Sequence, residues 1–394
     1  MGYRAKGNGY VLRSTAGDAK LLIVLPALGA GGAERVATML SNHWAHEGRS
    51  IVIVTFEAPE TKPYYPVDDR IDLRPLDVPS IPKPKWRAVQ QTWRRVRALR
   101  AVIDETQPDV ILSFLTKTNI IALLAAPKTL PVIISERNNP YLQRFDPMWR
   151  MMRALTFPGA HSFVAMTPEA IAYYPEHQRP RARVIPNPVS LPADWQDRRS
   201  GRTLTAVGRL HPQKRFDLLI DAFAKIADAQ PDWQLVIWGE GSERAALEAQ
   251  TRRLGLQHRL TLAGLTPEPA SWIETADILV MSSDYEGWGN VLTEALAAGV
   301  PAISTDCDFG PGEIIDHDEC GLLVPCGDAD ALSKALTRVM ENPDLRVRFA
   351  ANGLEKARRF QVDAIARKWD EVITDACAIH PEERWLAATP TQNH

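Results

Sequence analysis

Short apolar segments alternate with amphipathic segments along nearly the whole chain, and this alternation limits the fold more than any other feature. Five β-branched runs predict strands in the first half: Leu21–Pro26, Ile51–Phe56, Val110–Phe114, Val132–Ser135 and Ser162–Ala165. Five more predict strands in the second half: Thr203–Val207, Gln234–Trp238, Arg259–Leu262, Ile278–Met281 and Pro301–Ser304. Strands that alternate with helical segments are typical of parallel sheets. The sequence therefore predicts an α/β protein with two doubly wound sheets.

The segment Pro186–Arg202 separates the two sets of strands. It contains three prolines and has no hydrophobic period, which is typical of an interdomain linker. We therefore place the boundary near Ser190, with one domain over 1–190 and a second over 191–361. Ligands of such sheets bind beyond the carboxyl ends of the strands, so the site is expected in a cleft between the domains.

Apolar runs and cysteines exclude several other classes of protein. The longest apolar run, Leu21 to Ala33, is broken by Pro26 and by glycines and is too short to span a bilayer. It reads better as a strand followed by a turn than as a signal peptide, so a cytoplasmic protein is expected. The four cysteines lack a C-x-x-C spacing, so neither a zinc site nor a disulfide framework is indicated.

The two halves of the chain carry opposite charge. Residues 1–190 have a net charge of +9, whereas the remaining residues have −11. The first half is thus expected to meet an anionic partner, and the charge alone leaves nucleic acid and an anionic membrane surface open. No nucleic-acid-binding motif accompanies the charge, which favours the membrane.

The stretch from Lys83 to Arg100 concentrates this positive charge, with seven basic residues and no acid. As a helix it would combine tryptophan with an arginine-rich face, as interfacial helices do. The residues expected to face the membrane are Trp86, Trp93, Arg94, Arg95 and Arg97. An ordinary basic helix with its tryptophans packed inward remains the alternative.

A glycine-rich turn follows the first predicted strand, over Gly29–Arg35. Glycines there let the backbone approach a ligand, and the following helix offers amides and a positive dipole end to an anion. A plain tight turn is the alternative. The dinucleotide pattern G-x-G-x-x-G fails because Glu34 occupies its last position, although Glu57 resembles the ribose-binding acid of dehydrogenases.

Two cations flank the turn after the strand Thr203–Val207. Arg209 and Lys214 would lie beside the start of the next helix, an arrangement suited to a diphosphate. A lone basic pair is more often solvated surface charge. The motif downstream of this pair favours the diphosphate.

Two carboxylates lie eight residues apart after the strand Ile278–Met281. Glu286 precedes a predicted helix and Glu294 lies on its second turn, and eight helical residues rise about 12 Å. This span matches the distance from the sugar to the ribose in a nucleotide diphosphate sugar. Glu294 lies in an apolar run, and a buried acid needs partners. The amides of Asn290, Val291 and Leu292 would face the phosphates.

At this point the chain resembles the retaining glycosyltransferases of family 4, which have the GT-B fold of two Rossmann-like domains. The motifs that carry the resemblance are Gly31–Arg35, Pro186–Val189, Gly208-Arg209 with Lys214, Gly239–Gly241, and Glu286 to Glu294 continuing to Pro301. The resemblance implies that Arg209 and Lys214 hold the donor diphosphate, Glu286 the donor sugar and Glu294 the ribose. It places Gly31 and Gly32 against the β-phosphate, and Gly264 and Gly287 on the donor side.

One position departs from the family pattern. Many members carry a histidine after the fourth or fifth strand, whereas this chain has Ser135–Pro140 there, similar to members that build lipid-linked oligosaccharides and exopolysaccharides. Glu136 and Arg137 are therefore candidate acceptor-side residues. The resemblance also implies a peripheral location on the inner face of the cytoplasmic membrane, and a final helix from about Val362 that crosses back onto the first domain.

The predicted activity is retaining transfer of a hexose from a nucleotide sugar, with UDP favoured, to a lipid-linked glycan. Arg209, Lys214 and Glu286 are the predicted catalytic residues. No cofactor or metal is expected, although Asp306-Cys307-Asp308 matches a D-x-D pattern. The alternatives are a GDP-mannose-dependent mannosyltransferase, a nucleotide-sugar epimerase of the same fold and a non-catalytic assembly factor. The sequence leaves the oligomeric state open.

Overall fold

A computed structural model gives the fold of the protein. It describes residues 17–78, 85–143, 145–192, 195–266, 268 and 270–378, with side chains except at 85–88. Within these ranges, no helix combines the length and the apolar character needed to cross a bilayer.

Seven parallel strands form the sheet of the first domain, in the order β3-β2-β1-β4-β5-β6-β7. They are β1 Leu21–Val24, β2 Ile51–Thr55, β3 Asp72–Pro75, β4 Val110–Phe114, β5 Val132–Ser135, β6 Ser162–Ala165 and β7 Ala182–Val184. The central strand β1 is apolar at every position because both of its faces are covered. Leu21 and Ile23 point into one core, whereas Leu22 and Val24 point into another.

Helices cover both faces of this sheet. They are α1 Gly32–His46, α2 Lys85–Thr106, α3 Thr116–Ala125, α4 Pro147–Thr156 and α5 Pro168–Ala172. Helix α1 buries Val36, Leu40 and Trp44 on the Leu21 side, with the apolar spacing of an amphipathic helix. Helices α2 and α3 pack on the opposite side. The chain order reverses between β1 and β4, so the carboxyl ends of these strands flank a switch point where ligands bind.

Six parallel strands form the second sheet, in the order β10-β9-β8-β11-β12-β13. They are β8 Thr203–Val207, β9 Gln234–Trp238, β10 Leu260–Gly264, β11 Ile278–Met281, β12 Ala302–Thr305 and β13 Gly321–Val324. The helices of this half are α6 Phe216–Ala224, α7 Arg244–Arg253, α8 Asn290–Ala297, α9 Pro311–Ile314, α10 Ala329–Met340 and α11 Pro343–Ala357. Here the order reverses between β8 and β11, which places Arg209 and Glu286 after neighbouring strands.

The last described helix, α12 Val362–Ala378, packs on the first domain. It contacts α1 and β4, and it buries Ile365, Trp369 and Ile373 in the core that holds Leu21. The two passages of the chain between domains are hydrogen-bonded, because the amide of Val189 donates to the carbonyl of Phe360 at 2.7 Å. The two crossings therefore lie side by side.

All ten predicted strands are present, and three further strands were not predicted. Strands β3 and β7 lie at the two edges of the first sheet, where the partly exposed sequences DLRP and ARV carry no run of apolar residues. Strand β13 is apolar but has only four residues. Short strands at the edge of a sheet have a weak sequence signal because one neighbour is missing.

Candidate active site

A cleft of about 890 Å³ lies between the two domains. Both domains line it, through the glycine turn of α1 and the loop after β5 on one side and the ends of β8, β9 and β11 on the other. The predicted donor residues among its lining are Gly31, Gly32, Arg209, Lys214, Glu286, Gly287, Asn290, Val291 and Glu294. Gly264 and Leu292 are not among the lining residues. The structure thus brings the motif residues of both halves into one site.

Lys214 and Glu286 form an ion pair in this cleft. The ammonium of Lys214 donates to Oε1 of Glu286 at 2.6 Å, and the hydroxyl of Ser283 donates to the same oxygen at 2.6 Å. The Glu286 side chain is 9% exposed, so its charge has a partner as burial requires. Ser282 ties the turn that carries Lys214 to β11, because its hydroxyl donates to the carbonyl of Lys214 at 2.8 Å.

Arg209 lies at the end of β8 and is exposed. Within the described ranges, no carboxylate lies within ion-pair distance of its guanidinium. A free guanidinium in a cleft can bind a phosphate through two parallel hydrogen bonds. Arg209 is therefore available to an anionic ligand, whereas Lys214 shares its charge with Glu286.

Glu294 is buried on α8 and has two partners. The indole Nε1 of Trp272 donates to Oε2 at 3.1 Å, and Arg35 of α1 forms an ion pair with Oε1. The Arg35 pair joins the two domains directly. The sequence singled out Arg35 only as part of a motif, since nothing local indicates that its partner lies 259 residues away.

The start of α8 presents unpaired amides to the cleft. Gly289 precedes the helix with φ +102°, a left-handed conformation that glycine adopts without steric cost. The amide of Leu292 donates to the carbonyl of Gly289 at 2.9 Å, so it does not face a ligand as predicted. The amides of Asn290 and Val291, in the first turn of the helix, remain as anion donors beside its positive dipole end.

Two glycines lie close to the opposite domain. A Cβ on Gly32 would lie 3.0 Å from Nδ2 of Asn290, and one on Gly287 would lie 3.1 Å from the carbonyl oxygen of Arg137. These approaches hold the glycine turn of α1 against α8, and the loop before α8 against the loop after β5. Gly264 instead accepts a hydrogen bond from the amide of Gly239 at 2.7 Å, just outside the cleft.

The acceptor-side candidates Glu136 and Arg137 point in opposite directions. Glu136 is buried beneath α3, where its carboxylate accepts hydrogen bonds from Thr116 and Asn119, both at 2.7 Å. Burial raises the pKa of the Glu136 carboxyl. Glu136 does not line the cleft, whereas Arg137 does.

The predicted membrane-facing residues of α2 divide into two groups. Trp93, Arg94 and Arg97 are exposed, and 53% of the Trp93 residue is accessible to solvent. The prediction is wrong for Arg95, whose Nε donates to the carbonyl of Val78 at 2.8 Å while its guanidinium stacks on Phe56. The side chain of Trp86 lies outside the described residues.

Metal-ligating side chains do not cluster in the described part of the chain. No group of three histidine, cysteine, aspartate or glutamate residues there has the geometry to hold a metal ion. The positive groups that line the cleft include Arg35, Arg137, Arg209 and Lys214, together with the amides at the start of α8.

Known proteins match both halves of the chain. The model of Glycosyltransferase Family 4 matches residues 30–192, and that of Glycosyl transferases group 1 matches residues 192–356. An exopolysaccharide phosphotransferase of Streptomyces coelicolor is 29% identical to this chain. The match covers 91% of this chain but only 41% of the length of that protein. An α-1,4-N-acetyl-D-galactosaminyltransferase of Campylobacter jejuni, named for a diNAcBac-PP-undecaprenol substrate, is 27% identical and covers 90% of this chain and 98% of its own.

A solved structure shows the same fold. The Anabaena protein Alr3699/HepE, in complex with UDP, superposes with a TM-score of 0.70 at 18% identity, covering 89% of this chain and 98% of its own. Together with the two family models, which match consecutive parts of the chain, this similarity confirms the predicted fold and family. The chain belongs to glycosyltransferase family 4 and has the GT-B fold.

Proposed function

We propose that this glycosyltransferase moves a hexose from a nucleotide diphosphate sugar, with UDP as the favoured nucleotide, to a lipid-linked glycan with retention of configuration. The observation that carries the proposal is the arrangement of the cleft. Two cations and the start of α8 line it, together with Glu286 in the loop before the helix and Glu294 on its second turn. This matches an elongated ligand with a dianionic centre and hydroxyl groups at both ends.

In this proposal the diphosphate binds between Arg209, Lys214 and the amides of Asn290 and Val291. Glu286 accepts hydrogen bonds from hydroxyls of the sugar, and Glu294 accepts them from the ribose. Both carboxylates already accept hydrogen bonds within the protein. Glu286 accepts from Lys214 and Ser283. Glu294 accepts from Trp272 and Arg35. These hydrogen bonds orient both carboxylates before the ligand binds.

Catalysis follows from where charge develops. As the bond from the anomeric carbon to the diphosphate breaks, the sugar acquires oxocarbenium character and negative charge grows on the departing β-phosphate oxygen. Arg209, Lys214 and the α8 amides stabilise that charge in a site already organised to receive it. The departing phosphate takes the proton of the attacking hydroxyl on the same face, so the configuration is retained and neither a strong protein base nor a metal is required.

The acceptor is proposed to reach the cleft from a membrane surface. The Campylobacter relative is named for a glycan on undecaprenol, the first half of this chain is positive, and α2 exposes Trp93 beside Arg94 and Arg97. An anionic leaflet attracts such a face, and a tryptophan inserts at the headgroup level.

A thermal-shift panel of nucleotides and nucleotide sugars tests the donor. A specific ligand stabilises the folded protein by mass action, and we expect UDP and one UDP-sugar to raise the melting temperature. A response to GDP-mannose alone would favour the mannosyltransferase alternative. Recovery of an isomerised sugar without transfer to any glycan would favour the epimerase, and no response to any nucleotide would refute the proposal.

A further inference from the structure

Arg137 is a buried cation with no acidic partner. Within the described residues no carboxylate lies within ion-pair distance of its guanidinium, which lies over the neighbouring rings of Phe114 and Trp369, 5.6 and 5.4 Å from their centroids. Burial lowers the pKa of Arg137 to about 9, so the side chain is still charged at neutral pH. Its Nη2 is buried without a hydrogen-bond partner.

Arg137 begins a chain of hydrogen bonds that reaches the start of α8. Its Nε donates to the hydroxyl of Ser135 at 2.7 Å, and its Nη1 donates to Oδ1 of Asn187 at 2.8 Å. Nδ2 of Asn187 then donates to Oδ1 of Asn290 at 2.7 Å. The chain thus runs from the first domain, through the linker, to the first residue of α8.

The chemistry of arginine gives this chain one direction. A guanidinium only donates hydrogen bonds, so Asn187 must present its oxygen to Arg137 and its NH₂ group to Asn290. Asn290 must in turn accept with its oxygen, which leaves its own NH₂ group turned to the opposite side. On that side, Nδ2 of Asn290 faces the glycine turn of α1. It can lie there because Gly32 has no Cβ, which would be only 3.0 Å from Nδ2. In the described part of the chain, no group accepts a hydrogen bond from Nδ2.

We propose that Arg137 and Asn187 are positioning residues that fix the orientation of the side-chain amide of Asn290. In this orientation its NH₂ group points toward the cleft and donates to the diphosphate of the nucleotide sugar. This inference rests on the proposed function. It gives Arg137 a donor-side role that differs from the acceptor-side role predicted from the sequence. The chain of hydrogen bonds crosses from the first domain to the second. The orientation of the Asn290 side chain therefore depends on the contact between the two domains.

The variant Asn187→Asp tests the lock. Its new carboxylate would accept from Arg137 as the amide oxygen does, but it cannot donate, so Asn290 must turn its NH₂ group toward residue 187 and its oxygen toward the cleft. We expect titration calorimetry to show at least tenfold weaker binding of the nucleoside diphosphate that wild type binds best among UDP, GDP, ADP, CDP and dTDP. Asn342→Asp is the matched control, because it adds the same charge at the distant N-cap of α11 and should change affinity less than twofold.

A double-mutant cycle separates orientation from charge. Asn290→Ala should also weaken binding, and adding Asn187→Asp to it should weaken binding less than threefold further, because the lock acts through Asn290. An equal loss with and without Asn290 would mean that the new charge acts directly, and would overturn the proposal. So would wild-type affinity in Asn187→Asp.

Asn290→Asp carries the test if Asn187→Asp does not fold. If the lock holds, the carboxylate of this variant would keep its second oxygen toward the phosphate, and the variant would bind more weakly than Asn290→Ala. A carboxylate that is free to rotate would turn away from the phosphate, and the variant would bind as Asn290→Ala does. Such a match would overturn the proposal.

If wild type binds none of the five nucleoside diphosphates, the proposed function fails and this inference fails with it. If wild type binds one of them and the variants bind equally well, only the inference fails.

Discussion

Lys214 and Glu286 each satisfy the charge of the other in the cleft. In the proposed binding mode, their 2.6 Å contact holds the ammonium close to the diphosphate and the carboxylate close to the sugar. A ligand that brings its own phosphate and hydroxyls can replace this contact without leaving either charge unpaired. The pair therefore keeps the site organised at little cost to ligand binding.

Removing the cations of the cleft is expected to slow transfer. Lys214→Ala and Arg209→Ala should each lower turnover by at least ~10²-fold, because they remove stabilisation of charge that grows in the transition state. Lys334→Ala, an exposed lysine on α10, is the matched control and should have wild-type turnover. Initial rates with saturating donor measure the effect, and near-normal rates in both cleft variants would contradict the assignment.

Glu136 makes stability depend on pH. Because burial raises its pKa in the folded state, the stability associated with its protonated form is present below the pKa of the unfolded chain and is lost as pH rises through the folded pKa. Glu136→Gln stays neutral and should therefore raise the melting temperature at pH 7.5. That gain should shrink toward pH 4, where Glu136 is protonated in the folded state and mostly protonated in the unfolded chain. An equal gain at both pH values would show that the charge is not responsible.

An acceptor-side role of Glu136 is a separate prediction, read from turnover. Glu136→Ala that folds and transfers sugar at the wild-type rate would rule this role out. Glu136→Gln that is more stable but slower would support it, because functional sites commonly reduce stability.

The residues of the site were predicted from motifs, but their partners were not. Local spacing placed Lys214, Glu286 and Glu294 in one cleft because each follows a strand of a parallel sheet. The pairing of Glu294 with Arg35 depends on how two domains meet, and the link from Arg137 to Asn290 spans the linker. Contacts between residues far apart in sequence have no local signal, so a pattern within one segment cannot reveal them.

At the scale of elements, α2 presents an unusual outer face. Val89 and Trp93 are exposed one turn apart, next to the exposed arginines 94 and 97. Arg95 points inward and holds the helix to the chain after β3. An ordinary basic helix would pack its apolar residues inward and expose only polar and charged ones. Helix α2 differs because Val89 and Trp93 are exposed.

Liposome sedimentation measures the contribution of this face. We expect binding of the wild type to rise with the fraction of anionic lipid and to fall with salt. Trp93→Ala combined with Arg94→Ala and Arg97→Ala should lose most of this binding. Arg252→Ala with Arg253→Ala, an exposed basic pair on α7, is the control and should retain it. Binding that ignores anionic lipid and salt would rule out a membrane role for α2.

Elements were predicted where both faces are buried. The central strands β1 and β4 have the nearly unbroken apolar sequences LLIV and VILSF. Strands β3 and β7, at the edges of the sheet, have the partly exposed sequences DLRP and ARV. The outer face of α2 shows the same limit. Its composition was evident, but the inward orientation of Arg95 depends on Phe56 and Val78, which lie in other segments.

At the scale of the whole molecule, the Arg35–Glu294 pair holds the two domains together across the cleft. Removing one partner of a buried ion pair leaves the other charge without compensation, which costs up to about 3–5 kcal/mol. Arg35 is partly exposed, so Arg35→Ala should cost the lower part of that range. In a Glu294→Gln background the same change should cost far less, because no charge is left unpaired. Thermal unfolding of the four proteins measures the coupling, and additive effects would refute it.

Helix α12 comes last in the described chain, yet Ile365, Trp369 and Ile373 complete the core of the first domain. During synthesis, the strands of that domain leave the ribosome long before the helix that covers one of their faces. The apolar groove that α12 fills in the first domain therefore stays uncovered while the second domain is synthesised. The amino-terminal domain therefore cannot complete its core until the carboxyl-terminal helix α12 has been made.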